Sequence, residues 1–278
     1  MPRVDAHHHL WDTSRRELPW MDGPWADPIR RTWTEVDLAP HLDAYGIGAT
    51  VVVQAAPSEE ETRELLAHAR HSARVAAVVG WADLTRLGAP GEPPPPPGLA
   101  GVRHQVQDEP DPAWLCRADV RRGLAALADA GLVYELLVTP RELPAAVATA
   151  RALPGLRFVL DHAAKPPIAE GGWEPWARLV RELAALPNVV CKLSGLVTEA
   201  AWHTWTPATV LPYARHALDT FGPDRLLYGS DWPVCTLSAD YTAVHALAEA
   251  TTTDLTPTER AAVFGGNAAR VYGITGAG

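Results

Sequence analysis

Cysteine is scarce in this 278-residue chain: Cys116, Cys191 and Cys235 are the only three, and none is spaced as Cys-x-x-Cys. An odd, unpaired set argues against a disulfide-stapled scaffold and points to a reducing, cytoplasmic setting. Basic charge is short too, with 24 Lys and Arg against 33 Asp and Glu and a net charge of −9. Such a chain has no basic stripe to displace counterions from phosphates, which argues against a nucleic-acid partner. No apolar run approaches the ~20 residues that cross a bilayer. The first residues carry no basic segment followed by an apolar one, so neither a membrane span nor a signal peptide is expected. A short repeat is missing as well, which removes collagen-like and coiled-coil architectures.

Tryptophan and histidine are in excess, at 11 each. Core filling would use some of the tryptophans. Trp20, Trp25 and Trp232, however, sit in Pro- and Gly-rich loop sequence, where amphipathic rings often line a binding cleft.

Eight apolar runs of strand length recur, at residues 3–7, 49–54, 75–81, 99–104, 133–138, 157–161, 189–193 and 225–229. Helical patterns lie between them at 62–73, from 111 to about 130, and at 173–186, 207–221, 239–251 and 260–270, with a capping box over 58–61 before the first. Buried strands alternating with helices mean parallel pairing through crossovers. Eight such units close into a single (β/α)8 TIM barrel, taken as one domain over residues 1–278. An open doubly wound sheet would carry a Gly-rich phosphate turn after its first strand; here that turn holds three histidines. Two segments interrupt the pattern. Residues 12–34, rich in Trp, Pro and Arg, follow the first strand and are expected to cover the active-site mouth as a substrate lid. Residues 93–97 are five prolines, a stiff connector that leaves little room for a full third helix.

Barrel enzymes carry their reacting groups at the C-terminal ends of strands. The first run ends in His7-His8-His9, and alternation turns His7 and His9 into the mouth while His8 points away. Two imidazoles there can bind a divalent metal or donate to a substrate oxygen. Arg103 and His104 end the fourth run; Arg103 can grip carboxylate or polyol oxygens or form an ion pair that closes the barrel. Glu135, inside an apolar run, needs a partner and reads as ligand, orienter or structural ion pair. His162 ends the sixth run and Lys192 lies inside the seventh. Asp231 ends the eighth, beside Trp232, where it can deprotonate a water or bind metal.

The stretches Asp5-Ala-His7-His8-His9-Leu-Trp11-Asp12, Gly101-Val-Arg103-His104, Asp161-His162-Ala-Ala-Lys165-Pro-Pro167, Lys192-Leu-Ser-Gly195, Tyr228-Gly-Ser-Asp231-Trp-Pro233 and Gly266-Asn267-Ala-Ala-Arg270-Val-Tyr272 resemble the amidohydrolase superfamily. The resemblance is to its amidohydrolase-related branch, which includes L-fuconolactonase, L-rhamnonolactonase and pyrone-dicarboxylate lactonase, and it runs from the first strand to the final helix. It implies a hydrolase that opens a sugar-acid lactone, with Asp231 activating water and His7, His9 and His162 polarising the carbonyl. Trp11, Trp20, Arg103, His104, Glu135, Lys192 and Trp232 are then expected to hold the sugar. The cofactor is expected to be none or one divalent metal, zinc first, on His7, His9, His162 and Asp231. A metal-dependent decarboxylase or hydratase, or another carboxylic-ester hydrolase of the same superfamily, is the alternative chemistry. The partner is a small molecule, and homo-oligomerisation is left open.

Overall fold

The computed structural model describes residues 2–275. Its apolar runs become β1 (Arg3–His8), β2 (Ile47–Val53), β3 (Val75–Gly80), β4 (Gly101–His104), β5 (Val133–Leu136), β6 (Phe158–Leu160), β7 (Val189–Leu193) and β8 (Leu226–Tyr228). These strands pair in parallel and in sequence order. The seam between β8 and β1 closes through a bridge from His8 to Trp232, with Asp231 N donating to His7 O at 2.8 Å and His9 N to Trp232 O at 2.7 Å. The result is a (β/α)8 barrel.

Burial on both faces is why the strands read as continuous apolar runs. Val51, Val53, Val79, Val133, Val159, Val190 and Leu227 fill the interior together with Val4 and Ala6. Ala268, Ala269 and Tyr272 of the last helix join that cluster. The intervening residues Val52, Val78, Tyr134, Leu136, Phe158, Cys191 and Leu193 pack outward under the helices. Period two therefore puts Glu135 and Lys192 on the interior side, each between two outward residues.

The surrounding helices are α1 (Glu35–Tyr45), α2 (Glu59–Ala69), α3 (Ala118–Asp129), α4 (Leu143–Ala152), α5 (Trp176–Ala184), α6 (Pro207–Phe221), α7 (Tyr241–Thr251), α8 (Pro257–Ala261) and α9 (Asn267–Tyr272). α1 and α4 were not expected from sequence. Pro40 interrupts the apolar period of α1, and α4 is a short, alanine-rich segment with a proline in its first turn. Ser58 caps α2 by accepting from Glu61 N at 3.2 Å, but the reciprocal half of the capping box is absent. The Glu61 carboxylate instead accepts from Ala55 N and Ala56 N at 3.0 and 2.8 Å. The single helix expected over 260–270 is split by a wider turn at Ala262–Gly266. There Gly265 packs on the first strand so closely that a Cβ would lie 2.4 Å from Pro2 O. No helix forms between β3 and β4 among the described residues. None of the described helices is long and apolar enough to cross a membrane.

Candidate active site

A register shift between Asp5 and His8 sets the phase of the first strand. Strict alternation from inward Val4 would send His7 outward; the bulge turns it into the barrel mouth. Asp5 pins the bulge, accepting from His7 N at 3.2 Å, Ser230 N at 2.8 Å and Tyr241 OH at 3.0 Å. Burial pushes this carboxyl up to about 6 against those hydrogen bonds. His7 and His9 then face each other, Nε2 to Nε2, at 3.1 Å, while His8 turns away to Thr50 Oγ1 at 3.0 Å.

After β6 the chain takes a left-handed turn: His162, Ala163, Ala164 and Lys165 have φ of 54°, 47°, 61° and 48°. For L-residues this conformation costs about 1–2 kcal/mol each. Trp176 Nε1 holds the turn by donating to Ala163 O at 2.7 Å, and His162 Nδ1 lies 2.9 Å from Ser194 Oγ. The turn brings both His162 and Lys165 to the cavity wall. Asp231, with φ of 58°, is the remaining non-glycine residue of positive φ among the described residues, so backbone strain is concentrated at this mouth. Two glycines make room for the imidazoles. A Cβ on Gly195 would stand 2.4 Å from His162 Nδ1, and one on Gly229 2.7 Å from His7 Cβ.

Asp231 Oδ1 lies 3.7 Å from His7 Nε2, 3.6 Å from His9 Nε2 and 3.9 Å from His162 Nε2. Burial, followed by the positive charge of Lys192, holds His7 well below the ordinary histidine range. Burial also lowers His9, and it brings His162 to about 4. Burial alone would raise Asp231, but His162, His9 and Lys165 outweigh it and hold the carboxyl low. The centre is thus an ionised carboxylate ringed by neutral imidazoles.

Beneath it, Lys192 Nζ sits 2.7 Å from Glu135 Oε2, 3.1 Å from Asp161 Oδ1 and 3.0 Å from His7 Nδ1. Burial pushes Glu135 up to about 7, while Lys192, His7 and Arg103 overcome burial to hold Asp161 well below the usual carboxylate range. Arg103 reaches Asp161 Oδ2 at 3.2 Å and Gln54 O at 2.5 Å. Tyr272 of α9 donates to Glu135 Oε1 at 2.5 Å.

These shifts set the acid behaviour of the fold. His7, His8, His9, His162 and His245 all bind protons more weakly folded than unfolded. Their contribution to stability is complete above about 6.5, the unfolded value, and is lost as pH falls toward the folded values. The raised carboxyls Asp5, Glu61, Glu135 and Glu199 act in the opposite sense, four groups against five. Stability therefore falls on acidification from about pH 6.5 to about pH 4. A urea midpoint that holds or rises over that window would contradict this balance.

An open cavity lies over the centre. Of the residues expected in the site, His9, Trp20, Arg103, His162 and Asp231 line it, joined by Gln105, Gln107, Lys165 and Thr198. Trp20 comes from the 12–34 loop and donates to Ala55 O at 2.9 Å. Five residues expected to hold substrate lie outside the lining. Trp11 donates to Arg31 O at 2.8 Å and packs edge-on against Trp20. His104 stacks on Trp114 at 4.4 Å, between Trp81 Nε1 and the Glu109 carboxylate. Glu135 and Lys192 are wholly buried beneath the imidazoles, and Trp232 is buried against Trp33. Asp161, Gln105, Gln107, Lys165 and Thr198 were not among the expected site residues. Gln105 and Gln107 continue the alternation of Arg103 past the strand end, which is the one signal that could have found them.

Ligand atoms of His7, His162 and Asp231 lie within 4.8 Å of one another, and all three residues are buried. Two imidazoles and a carboxylate form a donor set that fits one divalent ion. A second group, His7, Glu135 and Asp161, also meets that spacing, but it encloses Lys192 Nζ, whose ammonium takes the place of a second cation. Zinc-loaded protein is therefore expected to carry one ion per chain; two equivalents by elemental analysis would overturn that count.

A closed parallel barrel with imidazoles and a carboxylate gathered at its C-terminal mouth defines an enzyme of the (β/α)8 class. The particular family is equally plain: the amidohydrolase family model matches residues 4–274, and the chain belongs to that family. It is 45% identical to an L-fucono-1,5-lactonase of Burkholderia ambifaria, over 98% of this chain and 96% of that protein. It is 42% identical to an L-fucono-1,5-lactonase of Burkholderia multivorans, with the same coverage. A solved amidohydrolase structure from Burkholderia multivorans with bound zinc superposes with a TM-score of 0.91 at 42% identity, covering 99% of this chain and all of that one.

Proposed function

We propose that this chain opens a sugar-acid lactone by hydrolysis, with L-fucono-1,5-lactone, named for both Burkholderia relatives, as the first candidate. The observation that carries the reading is Asp231, a buried, ionised carboxylate ringed by three neutral imidazoles, of which His9 and His162 join it at the wall of an open cavity while His7 lies buried behind them. With the lactone carbonyl against the imidazoles, Asp231 takes a proton from the water that attacks the carbonyl carbon. Imidazole N–H groups hold the oxyanion that forms. The ring C–O bond then breaks, the leaving alkoxide recovers the proton from Asp231, and the open hydroxy acid departs. A bound divalent ion, held by His7, His162 and Asp231, would add polarisation of the carbonyl.

The sugar ring has complementary groups waiting for it. Arg103 Nε and Gln107 Oε1 are buried without a protein partner, one a donor and the other an acceptor. Ring hydroxyls would satisfy both, with Trp20, Leu137 and Val234 along the apolar face. Gln107→Leu is expected to raise KM roughly 10-fold with kcat nearly unchanged, the value of one hydroxyl hydrogen bond; an unchanged KM would remove Gln107 from ring binding. The decisive assay is pH-indicator hydrolysis of L-fucono-1,5-lactone and a panel of aldonolactones, with metal-stripped and zinc-loaded protein. Turnover of at least one is expected. Failure of both forms on every lactone would overturn the reading.

A further inference from the structure

We infer that Glu61 is a positioning residue for substrate binding: it fixes the segment after β2 from which one wall of the cavity hangs. The consequence for binding rests on the lactonase reading; the architecture of the wall does not.

Pairing of β2 with β3 ends at Gln54, whose N–H donates to Val79 O at 2.8 Å. The next two amides, of Ala55 and Ala56, find no backbone acceptor among the described residues. Both donate instead to a single oxygen, Glu61 Oε2. Glu61 is buried and occupies the third position of α2, where a glutamate ordinarily turns back to the N-cap amide. Ser58 N already donates to Ala56 O at 2.8 Å, so the carboxyl group reaches forward to the loop. Two buried amides and one buried oxygen satisfy each other, and removing the oxygen leaves both donors unpaired.

The side chains tied to this segment are ones that face the cavity. Ala55 O accepts from Trp20 Nε1 at 2.9 Å and from Gln105 Nε2 at 3.3 Å. Gln54 O accepts from Arg103 Nη2, and the side-chain amides of Gln54 and Gln105 pair reciprocally at 3.2 and 3.3 Å. Trp20, Ala55, Arg103 and Gln105 all line the cavity. A carboxyl oxygen behind the wall thus sets where the wall stands. The reacting groups are anchored elsewhere. His9 Nδ1 lies 2.8 Å from Val53 O, within the paired part of β2, and Asp231 N donates to His7 O at the seam. Loss of Glu61 therefore loosens the grip on the sugar without disarming the base.

The test has a spectroscopic arm and a kinetic one. In protein labelled with 15N-tryptophan, the Trp20 indole signal is assigned by its loss in Trp20→Phe. The Trp176 indole, which donates to Ala163 O behind His162, is assigned in the same way and serves as internal reference. Glu61→Leu should shift the Trp20 signal and speed its exchange with solvent roughly 10-fold, the value of one hydrogen bond, leaving Trp176 unchanged. On the lactone, KM should rise roughly 10-fold with kcat nearly unchanged, the pattern of lost binding. Glu61→Gln keeps an oxygen for both amides and should restore the wild-type signal and KM.

Thr62→Val is the control for simple destabilisation. Thr62 Oγ1 ties the same turn of α2 to the end of β3, accepting from Trp81 N at 2.8 Å. Its loss should cost stability without moving Trp20 or KM. If Glu61→Leu does not fold, Glu61→Asp replaces it: its carboxylate falls one methylene short of the amides yet suits the first turn of a helix. A folded Leu or Asp variant with the wild-type Trp20 signal, or with the wild-type KM, overturns the inference. So does a Gln variant that restores neither, or a Thr62→Val protein that reproduces the rise in KM. Failure of the wild type on every lactone would defeat the lactonase reading alone, because the indole spectra need no substrate.

Discussion

Asp231→Asn is expected to lower kcat on the lactone by roughly 10³- to 10⁴-fold, the upper range for a positioned general base. The variant should fold nearly as wild type does. Asparagine matches the shape of aspartate, and it is among the few L-residues that readily adopt left-handed backbone, which the φ of 58° at this position requires. What it loses is the proton-accepting negative charge, which Asp231 carries at neutral pH with its carboxyl held low. Thermal unfolding is expected to shift by about 1 kcal/mol, the value of one weakened buried hydrogen bond. An Asp231→Asn protein with full turnover would sink the proposed base.

Gly195→Ala is expected to damage both stability and turnover, through a residue that never touches substrate. Its φ of +65° disfavours any Cβ, and the Cβ would stand 2.4 Å from His162 Nδ1 and 2.6 Å from Cγ. Either the imidazole leaves its position beside Ser194 or the strained turn behind it yields. A stability loss of about 2 kcal/mol with a fall in kcat of roughly 10²-fold is expected. Gly46→Ala is the control, since φ is +63° there but nothing lies within 4 Å of the new Cβ. It should cost about 1 kcal/mol from backbone alone and leave kcat intact. If Gly195→Ala matches that control in activity, the position of His162 does not govern the reaction.

The barrel was legible in the sequence because a strand buried on both faces must be apolar throughout, and eight such runs alternate with helical patterns. The pairing of His7 with His9, opposite His8, was legible for the same periodic reason. The bulge that chooses which of these faces inward was not, because it depends on how β1 lies against β2. Nor was the left-handed turn at 162–165, since Ala163 and Ala164 are not residues that announce such a backbone. Lys192 and Glu135 stood out as charges in apolar strands, but their partners lie on strands distant in sequence, and periodicity does not name a partner. His104, Trp11 and Trp232 carry suitable chemistry for a sugar. Which neighbour each ring would meet is decided by the helices and loops packed against it, and α1 and α4 were themselves invisible.

The seam that closes the barrel is also where the reacting groups meet. His7 and His9 come from the first strand and Asp231 from just beyond the last, and the hydrogen bonds Asp231 N to His7 O and His9 N to Trp232 O join them. During synthesis the histidines leave the ribosome long before the aspartate, so no partly made chain contains a centre. Pairing the first strand with the last joins residues more than 220 positions apart in the sequence, and contacts of such separation are slow to form. Turnover by this enzyme therefore doubles as a report of completed folding: a preparation trapped with an open barrel would keep its helices and bind dyes for apolar surface, yet hydrolyse nothing.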